Sequence, residues 1–133
     1  MGAIDTIREY YNAGEKGDWE AAGRCVGPGY VWIDHGTGVV ASSTKELYEA
    51  QLDADAWSES RFEITKTYEA ADGTVIVQGE QTSTVAGSWR EMEATGQRIS
   101  LPFCTVFRFD SEGLIVHEEM YYDMLAVRRQ LGY

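Results

Sequence analysis

Proline is nearly absent from this chain: Pro28 and Pro102 are the only two in 133 residues. Long helices and strands can therefore run without the breaks that proline imposes. Cysteine is equally scarce. Cys25 and Cys104 stand in no CxxC or metal-type spacing and sit among apolar residues, so buried free thiols are expected rather than a disulfide scaffold. The two histidines, His35 and His117, lie 82 positions apart with no paired carboxylate spacing on a helix, and no metal or other cofactor is expected. Positive charge is in deficit, with 11 Lys and Arg against 22 Asp and Glu and a net charge of −11. Such a surface repels phosphate backbones, which argues against nucleic acid as a partner. No run of about 18 apolar residues is present, so no membrane span is expected. The opening MGAIDTIREYY carries acidic residues and helical periodicity, unlike a signal peptide, and the expected location is cytoplasmic.

What remains is a chain rich enough to fold. Hydrophobic residues make up 44% and aromatics 12%, and the length suits one domain spanning 1–133. Ile4, Ile7 and Tyr11 share a helical face, with Tyr10 beside it. Gly14 and Gly17 end that helix, and Asp18 caps a short second one over 19–25. The apolar strand YVWID follows at 30–34. Ser43-x-x-Glu46 forms a capping box before Leu47, Tyr48 and Leu52, predicting a third helix to about residue 54. The second half alternates. RFEITKTYE places Phe62, Ile64 and Tyr68 on one side, Asp72-Gly73 is a hairpin turn, and TVIVQGEQTSTV returns. Residues 87–97 read as a loop. ISLPFCTVFRFD, with Leu101, Phe103, Phe107 and Phe109 on one face, turns at Ser111-Glu112-Gly113 into LIVHEEMYY. Asp123 caps a last helix, MLAVRRQL. Gly79 and Pro102 are the expected relief points of long, bent strands. Helices gathered on one face of a strongly curved antiparallel sheet make an α+β cone.

The order of elements, and the stretch FRFDSEGLIVHEEMYYDMLAVRRQLG with its Asp123-Met124-Leu125 and terminal Gln130-Leu131-Gly132, resembles the NTF2-like superfamily and its SnoaL-like branch. That resemblance implies a cone with three helices on its concave side, a small hydrophobic ligand, and a homodimer formed through the convex sheet face. A second resemblance is to the steroid Δ5-3-ketoisomerases of the same superfamily. There a tyrosine on the first helix donates to the substrate carbonyl, and an aspartate near the end of the first strand moves the proton. Tyr10 and Asp34 stand at the family's spacing of 24 positions, with Gly17-Asp18 between them, and V-W-I-D-x-x-x-G is similar to the family's V-E-D-P-x-G. The family's third group, a protonated acid, falls at Thr105, where a hydroxyl replaces it.

On this resemblance the candidate catalytic residues are Asp34 as base, Tyr10 as phenol donor, and Glu118. In a dry pocket an aspartate's pKa rises toward neutrality, as a general base requires; otherwise Asp34 is a strand-end or turn carboxylate before Gly36. Leu114, Val116, Glu118, Met120 and Tyr122 share one face by alternation, which the resemblance turns toward the cavity. Ile115, His117, Glu119 and Tyr121 share the other. Trp32, Trp57, Phe103, Met120 and Tyr122 are candidate cavity walls, with Thr105 and His35 as further substrate-binding candidates. Two readings follow. One is a cofactor-free acid–base enzyme, isomerase- or cyclase-like, acting on a small hydrophobic carbonyl compound. The other is a non-catalytic ligand-binding or dimerisation module.

Overall fold

The computed structural model describes residues 2–51, 57–88 and 91–133. In chain order it contains α1 (Ala3–Glu15), α2 (Trp19–Gly23), β1 (Val26–Asp34), β2 (Val40–Ala41), α3 (Thr44–Gln51), β3 (Trp57–Glu69), β4 (Val75–Val85), β5 (Arg98–Phe109), β6 (Ile115–Tyr122) and α4 (Met124–Gln130). The expected continuation of α3 to residue 54, with Leu52 on its apolar face, lies outside the described residues.

The helix starts follow their capping chemistry. Asp18 accepts from the Ala21 amide at 3.0 Å, and Asp123 accepts from the Leu125 amide at 2.9 Å. The box ahead of α3 is displaced by one residue. Ser43 Oγ accepts from the Glu46 amide at 3.1 Å, but the Glu46 carboxylate reaches back to the amide of Ser42, at 2.8 Å, rather than to that of Ser43.

The sheet has six strands in the order β2-β1-β6-β5-β4-β3. β3 to β6 form an antiparallel meander, as the two hairpin turns predict. β1 then joins the free edge of β6 in parallel, so one pairing departs from the antiparallel expectation. β1 also begins earlier than its apolar run, because Val26 already pairs with Ile115 across the Gly-Pro-Gly segment.

Two of the register shifts in the meander correct the simple alternation, since one extra residue turns every later side chain to the opposite face. On β3 the register shifts between Ile64 and Lys66. Phe62 and Ile64 therefore face inward, whereas Tyr68, expected on their side, is turned outward and 44% exposed. On β6 the partner of Arg108 is His117 and that of Phe109 is Ile115, which leaves Val116 as the extra residue. Ile115 is fully buried, and the inward row resumes at Glu118, so Leu114 and Val116 are not in register with it. Gly79 pairs with Ile64, at the first of these shifts. A Cβ there would stand 2.5 Å from the Glu63 carbonyl oxygen and 2.6 Å from the Phe103 ring, so only glycine admits the close approach of β3.

The core has two apolar clusters. One lies under α1: Tyr11 stacks on Phe62 with centroids 5.2 Å apart and meets Phe103 and Phe107 at 5.9 Å each. The other gathers Val85, Ile99, Leu101, Val127 and Leu131, and Met92 from the expected loop is buried in it. A hollow remains between the two clusters.

Candidate functional site

The hollow has a volume of about 460 Å³, within the range of small-molecule sites. Residues of both clusters line it, among them Trp32, Trp57, Phe62, Leu101, Met120 and Tyr122. A second, inner hollow of about 50 Å³ lies under α1, lined by Tyr10, Tyr11, Phe103, Thr105 and Glu118 among others. The two share Gly14, Trp32, Tyr48, Phe62, Gln81 and Met120 as common wall.

Asp34 and Tyr10 thus occupy different hollows. Asp34 ends β1, is 8% exposed and lines the larger one. Both of its oxygens are engaged. Oδ1 accepts from the amides of Gly36 at 2.8 Å and Thr37 at 3.1 Å, and Oδ2 accepts from the Tyr122 hydroxyl at 3.1 Å. The turn can close in this way because Gly36 lies flat against the Tyr122 ring, where any side chain would collide. Asp34 therefore holds the turn after β1 and also presents a hydrogen-bonded carboxylate to the cavity.

Tyr10 faces the inner hollow. Its hydroxyl lies 2.5 Å from that of Tyr30, a fully interior bond in which either oxygen can donate. Burial, with the Glu118 carboxylate and Tyr30 next, raises the Tyr10 phenol well above its ordinary pKa, so it remains protonated. Glu118 comes up from β6 opposite Phe107 and is 4% exposed. Burial raises its pKa from 4.5 to about 7; a hydrogen bond from Tyr10 opposes the rise and the nearby Asp34 charge adds to it.

The other candidates divide between the two hollows. Thr105 and Phe103 stand in the inner wall, Trp57 and Tyr122 in the outer one, and Trp32 and Met120 in both. His35 lies in neither. One residue past Asp34, it falls on the outer sheet face, as strand alternation requires. There it stacks on Tyr121 with centroids 4.2 Å apart, and Nε2 lies 3.4 Å from Glu119. His117 meets the same carboxylate at 2.7 Å, and the Tyr121 hydroxyl donates to it, also at 2.7 Å. These bonds, Tyr121 first and His117 next, lower the Glu119 pKa to about 2. Among the described residues no group of three or more His, Cys, Asp or Glu side chains is placed to hold a metal ion.

Several residues at the site have no mark in the sequence: Tyr30 reads only as strand core, yet its hydroxyl meets that of Tyr10, and Tyr11 reads only as helix face, yet it lines the inner hollow. On β4 the inward row Val75, Val77, Gly79, Gln81, Ser83 and Val85 contains two polar residues in an apolar register, a signal readable in the sequence. Ser83 Oγ lies 2.8 Å from Ser60 Oγ and accepts from Gln81 Nε2 at 3.3 Å, giving the larger hollow a polar strip.

The SnoaL-like domain family matches residues 7–118. The chain belongs to this family. Solved structures agree on the fold. AclR, a candidate hydroxylase from Streptomyces galilaeus, is 22% identical, covers 98% of this chain and 95% of its own, and superposes with a TM-score of 0.80. A candidate SnoaL-like polyketide cyclase from Shewanella denitrificans is 16% identical over 97% of this chain and 96% of its own, with a TM-score of 0.83. A protein of ketosteroid isomerase-like fold from Catenulispora acidiphila, solved with trimethylamine, is 21% identical over 96% and 92%, with a TM-score of 0.78. No curated protein matches the chain. The NTF2-like cone is thereby established for this SnoaL-like domain, and among its described residues no helix is long and apolar enough to cross a membrane.

Proposed function

We propose that this SnoaL-like protein is a cofactor-free acid–base enzyme that moves a proton on a small, hydrophobic carbonyl compound whose body lies in the larger hollow and whose reacting end reaches Glu118 across the shared wall. The observation that carries this reading is Glu118: a carboxyl buried beside an apolar cavity, with a pKa raised to about 7 and a phenol at its side. A group poised near neutrality can both take and return a proton, and in a dry site the charge it faces is poorly screened. Glu118 is the proton carrier in this scheme. Tyr10, backed by Tyr30, steadies its anion. Asp34 supplies a fixed negative charge at the cavity wall, which helps keep Glu118 protonated. The names of two relatives, a polyketide cyclase and a hydroxylase, are compatible with an apolar polycyclic ligand. A second copy of the chain is the proposed partner, bound through the outer sheet face that exposes Tyr68 and Tyr121.

The test replaces Glu118 by Gln and follows proton exchange, isomerisation and ring closure across a panel of enones and poly-β-ketone mimics. Turnover is expected to fall by roughly 10²–10⁴ while ligand still binds. Wild-type turnover that persists in Glu118→Gln removes this residue from the chemistry. Binding without turnover by either protein favours the ligand-binding module instead. That second reading draws on Asp34, whose three hydrogen bonds are those of a turn-holding residue.

A further inference from the structure

Among the described residues, three buried side-chain oxygens meet no hydrogen-bond partner: Tyr11 Oη, Thr105 Oγ1 and Glu118 Oε1. They come from three elements, α1, β5 and β6, and all three residues line the inner hollow. The Tyr11 and Thr105 hydroxyls are close enough to influence one another, yet neither reaches hydrogen-bonding geometry with the other. Buried polar groups in folded proteins are paired almost without exception, so three orphans converging on one small space point to something that pairs them together.

The space and the chemistry restrict what that is. A volume of about 50 Å³ accepts a water, or one hydroxyl with the carbon that bears it, and no larger polar group. The walls offer two hydroxyl donors and one carboxyl oxygen. A carbonyl oxygen only accepts, and has two lone pairs for three groups, so it leaves one of them unpaired whether Glu118 is ionised or protonated. A hydroxyl oxygen accepts from Tyr11 and Thr105 while its own proton goes to Glu118. It satisfies all three at once.

We propose that the inner hollow is a subsite for a single hydroxyl oxygen, bridging Tyr11, Thr105 and Glu118. The oxygen belongs either to a water or to a hydroxyl carried by the ligand. The second source rests on the reading of the larger hollow as the seat of the ligand's apolar body, which then spans the shared wall of Trp32, Phe62 and Met120. The water source does not depend on that reading.

High-resolution crystal structures of the free protein and of its complex with 2-naphthol distinguish the two sources. An ordered water within hydrogen-bond reach of all three atoms in both structures assigns the oxygen to water. Its replacement by the naphthol hydroxyl assigns it to the ligand. In that case 2-naphthol binds about tenfold or more tightly than 2-methoxynaphthalene, which cannot donate, and the preference disappears in Thr105→Val. Equal affinities remove the ligand source and leave the water. No oxygen at the three atoms in either crystal overturns the proposal. Thermal melting of Thr105→Val gives an independent check. Val matches Thr in shape, so a hydroxyl that holds an oxygen lowers the melting temperature when removed, and an idle buried hydroxyl raises it. Neither measurement uses turnover, so the subsite and the Glu118 chemistry can fail separately.

Discussion

Glu118 and Glu119 are adjacent on one strand and identical in chemistry, yet their carboxyls differ by about five pKa units, roughly 7 against roughly 2. The strand alone accounts for this. Alternation sends Glu118 inward, where burial disfavours its charge, and sends Glu119 outward, where Tyr121, His117 and His35 gather around its charge. The inner face of β6 is built to hold a proton, and the outer face to hold an anion. Residue type therefore decided little here, and facing decided nearly everything.

The contrast can be broken most forcefully from the row beneath Glu118. Phe107 pairs with it and is fully buried, whereas the neighbouring outward pair is Arg108 with His117. Phe107→Ala is expected to lower stability by roughly 3–5 kcal/mol in urea unfolding. A loss under about 1 kcal/mol contradicts the packing described.

Next is Glu118→Gln, read as stability against pH. The folded protein holds the Glu118 proton until about pH 7, while the unfolded chain releases it near 4.5. Wild-type stability should therefore decline as pH rises across that window, by roughly 3 kcal/mol in all, and then level off. Gln stays neutral, so the variant should lack this decline and be the more stable protein on the alkaline side. Parallel profiles for the two proteins rule out the raised pKa.

Glu119→Gln should show the opposite sign. Its folded pKa lies below the ordinary value, so its contribution is present above about pH 4.5 and is lost as pH falls toward 2. The variant should be less stable at neutral pH by under about 1 kcal/mol, because the site is near solvent, and the difference should vanish in acid melts. The smallest effect belongs to Arg108→Ala, expected within about 0.5 kcal/mol of wild type by the same denaturation.

Much of the fold could be read from the chain because turns and periods are local properties. Asp72-Gly73 and Ser111-Glu112-Gly113 set the hairpins, and Asp18 and Asp123 set two helix starts. The bulges at Thr65 and Val116 were hidden for a physical reason. Phe62, Ile64 and Tyr68 keep one parity across Thr65, and Leu114, Met120 and Tyr122 keep one across Val116, so no change of pattern marks the slip, and simple alternation puts Tyr68 on the wrong face. The site shows the same division. Glu118 could be singled out as the one carboxyl of an apolar row, whereas Thr105 came only from the resemblance to the isomerases. The Tyr10–Asp34 spacing carried no information on which hollow each side chain enters. That depends on Trp32, Phe62 and Met120 standing between the hollows, a matter of three-dimensional packing. The bond from Tyr10 to Tyr30 joins a helix to a strand 20 residues away and has no local signature either.

The backbone of β3 comes so near to Gly79 that the curl of the sheet there is a property of the main chain. The breadth of the larger hollow is then inherited from the frame, while its lining, from Trp57 to Ser83, is made of side chains. Descendants of such a protein can exchange wall residues to admit differently shaped molecules and leave the vault above them standing.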